Sequence, residues 1–287
     1  MKLSDIKMIQ RRRLAFIEFH LLWEGEIGRR KLQEQFGISA PQATKDLSTY
    51  VSLCPEAMHY DPRKKAYTPA KDFQPIIASP KSDGYFRQLE MHALGYRTLK
   101  GSWPSNMPAH EITELPTRTV DPDVLRTTLW AIQNRSPMVA VYTSMTGSPV
   151  EPRTLLPHAL ASDRSRWHVR AYDVSKERFS DFVMSRFKSA TRCSKHAEAP
   201  IDEDWERYVV LQMEADPNAE EMTRQAVEYE HGMANGKLEL RVRQAMLTYM
   251  LRTYGFVPFK GNDLSAPSAL RLSLVEPDIV ETWLGWR

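Results

Sequence analysis

Apolar positions recur at helical spacing near the start of the chain. Leu14, Ile17 and Leu21 follow one another at i, i+3 and i+7, a pattern that predicts an amphipathic helix. A second helix is predicted over residues 29–36. We expect it to end before Gly37, because glycine readily takes the left-handed conformation that closes a helix.

A third helix is predicted to begin at Ser39. The serine hydroxyl is a good N-cap, and Pro41 falls in the first turn, where its missing N–H costs nothing. Ala43 and Leu47 belong to the stripe that we expect to be buried. The opposite face carries Gln42, Thr44, Lys45, Ser48 and Thr49.

Two extended runs, MHY and AYT, flank the turn sequence DPRKKA and predict a β-hairpin with a basic tip. Three short helices before such a hairpin are typical of a winged helix-turn-helix, whose third helix enters the major groove of DNA. Three consecutive arginines, at positions 11–13, precede the first predicted helix. We expect these arginines and the basic hairpin tip to contact DNA phosphates. The predicted DNA contacts are Arg11, Arg12, Arg13, Ser39, Gln42, Thr44, Lys45, Ser48, Thr49, Arg63, Lys64 and Lys65. The same pattern also fits a protein-interaction module with a solvated basic surface.

Residues 71–136 are predicted to form a mainly helical linker. Proline is frequent at its start, and its middle has no clean periodicity. We expect one helix over 84–94 and another beginning after Asp121. The buried stripe of the second helix is expected to be Leu125, Leu129 and Ile132.

From Pro137 onward the hydrophobic pattern alternates instead of following a helical period. The runs MVAVYTS, TLLPHAL, RWHVRAY and DFVMSRF are β-candidates that predict a small barrel or a curled sheet. After Pro200 the predicted order is strand, helix, strand, helix. This order favours a small α+β module of ferredoxin-like character.

Composition and charge narrow the class of protein. Of the 287 residues, 42% are hydrophobic and 26% are charged, which is ordinary for a globular protein. No apolar run approaches the roughly 18 residues of a membrane span, and no signal-peptide pattern is visible, so we expect a cytoplasmic protein without membrane contact. The net charge of +3 combines a basic first two-thirds with an acidic remainder, so a polyanion is expected to bind the former.

No sequence signature of an enzyme is visible. Walker, GxGxxG, GxSxG and HExxH motifs are absent, and Cys54 and Cys193 lie too far apart in sequence to form a metal knuckle. Ser144 and His158 resemble a nucleophile and its base, but no third, orienting carboxylate is evident. We therefore expect no catalysis, cofactor or metal.

The alternation in RWHVRAY places Trp167, Val169 and Ala171 on one face, which we expect to be core. Arg170 on the opposite face is then free to meet an anion. With polar groups from neighbouring predicted strands it would form a phosphate-binding pocket, although each residue alone is more typical of a structural or solvated side chain. The candidate pocket consists of Tyr142, Ser144, His158, Arg170 and Arg186.

The segments VAVYTSMTGSPVEPRTLLPHAL, RWHVRAYD and RFSDFVMSRF follow in an order that resembles the WYL domain, an Sm-like barrel of bacterial regulators. The Trp-Tyr-Leu triplet stands here as Trp167-His168-Val169, so two of its positions depart from the family pattern. The ligand-contacting Tyr, Ser, His and two Arg of the family fall on the five candidate pocket residues. The segment ISAPQATKDLSTY is similar to the recognition helix of WYL repressors that lie beside phage-defence operons such as BREX and CBASS.

The resemblance implies a multidomain α+β regulator. Its parts would be a winged helix over 1–70, the helical linker over 71–136, a WYL barrel over 137–199 and a C-terminal dimerisation extension over 200–287. It further implies a homodimeric repressor that binds a palindromic double-stranded DNA operator, with a barrel that senses a nucleotide or nucleic-acid fragment. The alternatives are an RNA- or single-strand-binding accessory protein and a structural adaptor.

Overall fold

The computed structural model divides into two compact units, Met1–Leu115 and Pro116–Arg287. No described helix is both long and apolar enough to cross a membrane. Parts of the predicted linker, and residues 146–150 between the first two predicted strands of the barrel, lie outside the described residues. The structure describes residues 3–96, 103–105, 107–113, 118–145, 151–193, 197–256 and 263–285.

The first unit contains the predicted three helices and hairpin. The helices are α1 (Met8–Trp23), α2 (Arg29–Phe36) and α3 (Ala40–Leu53), and the hairpin consists of β1 (Met58–Asp61) and β2 (Ala66–Pro69). The two strands pair antiparallel. The backbone of Tyr67 in β2 exchanges two hydrogen bonds with Ile27, just ahead of α2, and so ties the hairpin to the helices. The predicted winged helix-turn-helix arrangement is confirmed.

The predicted apolar stripes form the core of this unit. Leu14, Ile17 and Leu47 are buried in one hydrophobic cluster with residues of α2 and β1. Gly37 follows α2 with φ of 61°, a left-handed conformation that favours glycine, and this confirms the predicted helix end.

A buried carboxylate, Glu18 of α1, holds the segment that follows the hairpin. It accepts a hydrogen bond from Tyr50 Oη of α3 at 3.0 Å and from the backbone N–H groups of residues 76–78 at 2.6 to 3.2 Å. A carboxylate that is buried away from solvent needs such donors, because the loss of its hydration otherwise costs a large free energy. This clamp fixes the path of the chain from the hairpin toward α4 (Asp83–Ala93).

The second unit opens with α5 (Pro122–Asn134) and continues into an antiparallel sheet whose strand order is β6-β5-β4-β3-β7. The strands are β3 (Met138–Tyr142), β4 (Pro152–Ser162), β5 (Trp167–Asp173), β6 (Arg178–Val183) and β7 (Phe187–Arg192). A 3₁₀ turn over Met184–Arg186 joins β6 to β7, but these two edge strands do not pair with each other in the described residues. The closed Sm-like barrel is therefore not confirmed, and the described strands form an open sheet.

Helix α5 packs on one face of this sheet. Its buried positions are Val124, Thr128 and Ala131, whereas Leu125 and Leu129 are 38% and 39% exposed. The prediction of Leu125 and Leu129 as buried residues was wrong. The small side chains of Thr128 and Ala131 allow a close approach to the sheet, and the helix turns that side inward.

Strand β5 is buried on both faces. Val169 and Ala171 lie in the core, as predicted, but Trp167 at the first position of the strand is 59% exposed, so its assignment to the core was wrong. His168 and Arg170 on the opposite face are 2% and 7% exposed. That face is covered by residues from the C-terminal part of the unit and is not a solvent surface.

The C-terminal part is a small α+β module, as predicted. Its elements are α6 (Glu203–Glu206), β8 (Tyr208–Ala215), α7 (Glu221–His231), β9 (Lys237–Arg243), α8 (Leu247–Thr253), β10 (Leu272–Leu274) and α9 (Pro277–Trp283). The described strands are antiparallel in the order β10-β8-β9. The described sheet of this module has three strands, so the four-stranded ferredoxin-like arrangement is not confirmed.

Replacing Glu18 with Ala should lower the free energy of unfolding by about 3 kcal/mol, because several buried donors would lose a charged acceptor. Urea unfolding of the full chain, followed by circular dichroism, measures this loss. The matched control is Glu34→Ala, which removes an exposed carboxylate paired with Arg30 at 2.6 Å and should change stability by less than about 0.5 kcal/mol. Equal stabilities of the two variants would contradict the clamp.

Candidate functional site

The polar face of α3 begins at a capped helix end. Ser39 Oγ accepts a hydrogen bond from the Gln42 backbone N–H at 3.4 Å, and Pro41 lies in the first turn, as the sequence predicted. Thr44, Lys45 and Ser48 are exposed, whereas Gln42 and Thr49 are partly buried. The predicted reading face therefore exists as a polar surface along the first half of the helix.

The buried carboxylate of Asp46 lies beneath this face. Arg13 of α1 donates to it from Nε at 2.5 Å and from Nη2 at 3.3 Å. The side-chain amides of Gln10 and Gln42 donate to Asp46 Oδ1 at 3.0 and 3.1 Å. One N–H of Gln42 is thus committed inward, which orients its amide group before any ligand arrives.

Of the three arginines predicted as phosphate contacts, Arg13 is paired with a buried carboxylate instead of being exposed. Its side chain is 11% exposed, and Nε and Nη2 of its guanidinium both donate to Asp46, so Arg13 forms a structural ion pair between α1 and α3. Arg11 and Arg12 are exposed. The prediction that this run lies ahead of the first helix was wrong, because α1 already begins at Met8. Consecutive side chains of a helix point in different directions, and that of Arg13 faces α3.

The hairpin tip is exposed and basic, as predicted. Arg63, Lys64 and Lys65 are all exposed, and Lys65 has a left-handed φ of 53°. Asp61 accepts hydrogen bonds from the backbone N–H groups of Arg63 and Lys64 at 2.8 and 3.3 Å, which shapes the turn. Lys64 Nζ also lies 3.4 Å from Glu26 in a solvent-exposed pair.

In the second unit, Tyr142 is part of the core of the sheet. Its ring packs edge-on against Phe182 and Phe187, with centroids 5.1 and 5.0 Å away, and its hydroxyl accepts a hydrogen bond from the Val183 backbone N–H at 3.2 Å. The side chain is buried, so it has no free face on which a base can stack. The structure places this candidate pocket residue on the core side.

His158 and Arg170 meet at one carboxylate, that of Asp202. Arg170 donates from Nε to Oδ2 at 2.7 Å and from Nη2 to Oδ1 at 3.0 Å, a bidentate pair. His158 Nε2 lies 3.0 Å from Asp202 Oδ2. On its other side Arg170 donates to Asp181 Oδ1 at 3.4 Å, and Asp181 Oδ2 accepts a hydrogen bond from Tyr249 Oη at 3.1 Å.

The charges of this cluster stabilise one another. Burial alone would raise the pKa of Asp202, but hydrogen bonds from Arg170 and His158 outweigh it and hold that pKa below its usual value. Burial likewise opposes the charge on Arg170, yet its carboxylate partners raise its pKa. Asp181 is different, because burial dominates there and raises its pKa despite Arg170. Asp202 is therefore the firmly ionised partner of Arg170.

A cavity of about 550 Å³ lies beside this cluster. His158 and Asp202 are in its wall together with Arg135, Phe179, Glu206 and residues 197–201, so the wall carries both basic and acidic groups. The other four candidate pocket residues are not in that wall. Ser144 and Arg186 are partly buried, and the backbone carbonyl of Arg186 accepts a hydrogen bond from the Thr143 N–H at 3.0 Å. The structure therefore brings His158 and Arg170 together, while a single pocket made of all five residues stays a prediction.

Comparison with known families covers all three parts of the chain. Residues 10–91 match the BrxR transcriptional regulator winged helix-turn-helix domain, and residues 123–192 match the WYL domain. Residues 208–278 match the BrxR transcriptional regulator C-terminal dimerization domain. The WYL match includes α5, in agreement with the packing of that helix on the sheet.

Curated relatives named DNA-binding transcriptional repressor CapW match over most of the chain. The relative from Escherichia coli (strain KTE188) is 34% identical over 94% of this chain and 90% of its own length. The relative from Stenotrophomonas maltophilia is 31% identical over 98% of this chain and 94% of its own length. The relative from Pseudomonas aeruginosa is 32% identical over 84% of this chain and 81% of its own length. This chain belongs to the BrxR/CapW family of WYL-domain transcriptional regulators. The predicted resemblance to phage-defence WYL regulators is confirmed by these matches, and so is the expectation of a regulator that is not an enzyme.

Sequence reasoning missed the two carboxylates, Asp46 and Asp202, around which the charged residues of these sites are arranged. Asp46 gave no local signal of burial, because its burial depends on Arg13 from another helix. Asp202 carried one usable signal, since an aspartate before the acidic run EDWE is typical of a helix N-cap, and Asp202 does accept from the Trp205 backbone N–H at 3.3 Å. Arg170, its partner, lies 32 residues away in sequence, so no local pattern indicates that the two residues pair.

Arg12→Ala and Arg13→Ala should behave differently although the residues are neighbours. Arg13→Ala leaves Asp46 buried without its counter-charge and should lower the free energy of unfolding by about 3–5 kcal/mol. Arg12→Ala should change stability by less than about 0.5 kcal/mol, because the residue is exposed. Thermal and urea unfolding of the two full-length variants measures the difference. Two variants of equal stability would show that the Arg13–Asp46 pair does not hold the helices together.

Proposed function

We propose that this member of the BrxR/CapW family is a DNA-binding transcriptional repressor, and that α3 reads its operator. The observation that carries the proposal is the orientation of Gln42 by Asp46, next to the exposed side chains of Thr44 and Lys45. A helix that presents fixed donors and acceptors can discriminate base edges in the major groove. The names of the CapW relatives support the same function.

Phosphate contacts would supply most of the affinity. Arg11 and Arg12 at the start of α1 and the basic hairpin tip are exposed, and such groups neutralise phosphates and release counterions. They position the protein on the duplex without reading sequence. Arg13 is left out of this set, because Asp46 engages it.

We infer that the repressor acts as a homodimer on a palindromic operator. The C-terminal module supports this, since residues 208–278 match a domain described as a dimerization domain. A two-fold protein doubles its DNA contacts when the operator has matching half-sites. The regulated genes are proposed to be a phage-defence operon, as the family resemblance implies.

We further propose that the WYL part senses an anionic nucleotide or nucleic-acid fragment. Arg170 and His158 are arranged around a carboxylate, and the two Arg170 donors that hold its oxygens also fit two oxygens of a phosphate. Arg186 follows β6 and lies near His168. Burial lowers the pKa of His168 and outweighs the opposite effect of Asp163 and Asp181, while the nearby charges of Arg166 and Arg186 act in the same direction as burial. Arg186 would supply a second cationic group for the ligand.

The alternative function is single-strand or RNA binding by the sheet. One observation favours it: Trp167 is 59% exposed at the start of β5, and a base can stack on an exposed indole. Binding to single-stranded RNA or DNA that is lost in Trp167→Ala, without binding of the wild type to its upstream duplex, would support this alternative. Unchanged operator binding agrees with recognition by α3.

Gln42→Ala and Lys45→Ala should each weaken binding to the chain's own upstream DNA by about 1–3 kcal/mol and relax the base preference at one position. The physical reason is the loss of a base-edge contact in the major groove. Gel shifts and selection from randomised operator sequences measure both effects. The controls Gln225→Ala and Lys188→Ala remove an exposed glutamine and an exposed lysine from the second unit and should leave affinity and preference unchanged. If all four variants bind alike, α3 is not the reader.

Arg186→Ala should abolish the response of operator binding to a 5′-phosphorylated oligonucleotide while operator binding without it remains near that of the wild type. A ligand shifts the equilibrium only through contacts that differ between the two states, and Arg186 would provide one of them. The matched control is Arg178→Ala, which removes an exposed arginine of β6. A gel shift with increasing oligonucleotide measures the response. An intact response in Arg186→Ala would remove this residue from the ligand site.

A further inference from the structure

We propose that Asp202 occupies the anion site of Arg170 as an internal substitute for the ligand, and that a phosphate-bearing ligand acts by displacing it. The inference rests on the proposed ligand sensing and states how the site is regulated. It assigns a role to a carboxylate outside the five candidate pocket residues.

The geometry of the Arg170–Asp202 pair is that of anion recognition. Two donors of one guanidinium meet two oxygens of one carboxylate at 2.7 and 3.0 Å, and His158 adds a third contact at 3.0 Å. A phosphate presents two oxygens to an arginine in the same parallel fashion. Asp202 therefore satisfies the donors that a phosphate ligand would need.

Asp202 also lies between Arg170 and the cavity. It belongs to the cavity wall with His158, whereas Arg170 does not and is only 7% exposed. A ligand that enters the cavity meets the Asp202 carboxylate first. It gains the Arg170 guanidinium only when Asp202 moves away.

Exchange of one anion for another would keep the buried charge of Arg170 compensated. Removing Asp202 alone would leave a buried arginine with Asp181 as its remaining buried partner, at 3.4 Å, and uncompensated buried charge is costly. A phosphate that takes over the two hydrogen bonds keeps Arg170 neutralised. The released carboxylate gains water, because it sits at the cavity wall.

Displacement would reach the C-terminal module directly. Asp202 caps α6, and α6 is tied to the module through Asp204, whose carboxylate accepts from Gln244 Nε2 at 3.0 Å, and through the Trp205 carbonyl, which accepts from Arg243. Moving Asp202 therefore moves the segment that leads into β8. A ligand at Arg170 would in this way change the conformation of the C-terminal module, whose residues 208–278 match the dimerization domain.

The test compares Asp202→Asn with Asp204→Asn in the full-length protein. Asparagine is also a good N-cap, so α6 keeps its start while the competing charge is removed. Asp204 is the matched control, because it lies two residues further on, is 53% exposed and approaches Arg170 only at 3.8 Å. Asparagine at this position keeps an oxygen that can accept the hydrogen bond from Gln244, so the link of α6 to β9 and α8 is retained. Binding of 5′-phosphorylated dT₃ is measured by calorimetry, with unphosphorylated dT₃ and inorganic phosphate as further arms.

Asp202→Asn should bind phosphorylated dT₃ about tenfold more tightly than the wild type, because a larger fraction of the protein has a vacant Arg170. Asp204→Asn should bind like the wild type. Adding the oligonucleotide should change the operator affinity of the wild type in one direction. The operator affinity of Asp202→Asn should already be changed in that same direction without oligonucleotide. The second variant, Asp202→Ser, also retains a capping side chain and should reproduce both effects; thermal unfolding of each variant verifies that it is folded.

Equal oligonucleotide affinities of wild type, Asp202→Asn and Asp204→Asn would overturn the displacement mechanism while ligand sensing stands. No binding of phosphorylated dT₃ or phosphate to any variant would overturn both, whereas normal operator binding in the same preparations would leave the repressor function intact. Tighter binding of inorganic phosphate alone by Asp202→Asn, without a gain for dT₃, would contradict a nucleic-acid ligand.

Discussion

A carboxylate that is removed from water must be hydrogen-bonded or paired with a cation, and this requirement organises both units of the molecule. Glu18 collects donors from α3 and from the segment behind the hairpin. Asp46 joins α1 to α3 through Arg13, and Asp202 joins the sheet to the C-terminal module through Arg170. Each acid brings together segments that are distant in sequence.

In the first unit this requirement separates two roles within the arginine run. Arg13 serves the fold, because it neutralises Asp46, while Arg11 and Arg12 remain exposed to a polyanion. The same Asp46 orients Gln42 on the polar face of α3. A side chain that is oriented in advance loses less conformational entropy when it meets a base, which favours both affinity and discrimination.

In the second unit the face of the sheet that carries Arg170 is covered by a polar junction. The ionised Asp202 and the hydrogen-bonded Asp181 hold Arg170 from two sides, and Tyr249 of α8 contacts both Asp181 and the ring of His168. A ligand that enters such a junction must replace existing contacts. Its effect on operator binding then depends on the free-energy difference between those contacts and its own.

The sequence by itself determined what local pattern controls. The stripe of Leu14 and Ile17, the cap at Ser39 and the helix end at Gly37 are short-range signals, and the corresponding elements lie where they were predicted. These signals arise from backbone sterics and hydrogen bonding between near neighbours, so a single sequence contains them.

Only the tertiary structure decided which side of an element is buried and which charges are paired. Helix α5 turns Thr128 and Ala131 toward the sheet instead of the larger Leu125 and Leu129, and Tyr142 belongs to the core although its type suits a ligand contact. Arg13 and Arg170 look like free cations in the sequence, yet each has a carboxylate partner more than thirty residues away. Such pairings depend on how packed elements cover one another, and the energy of burying a charge is set by that coverage and not by neighbours along the chain.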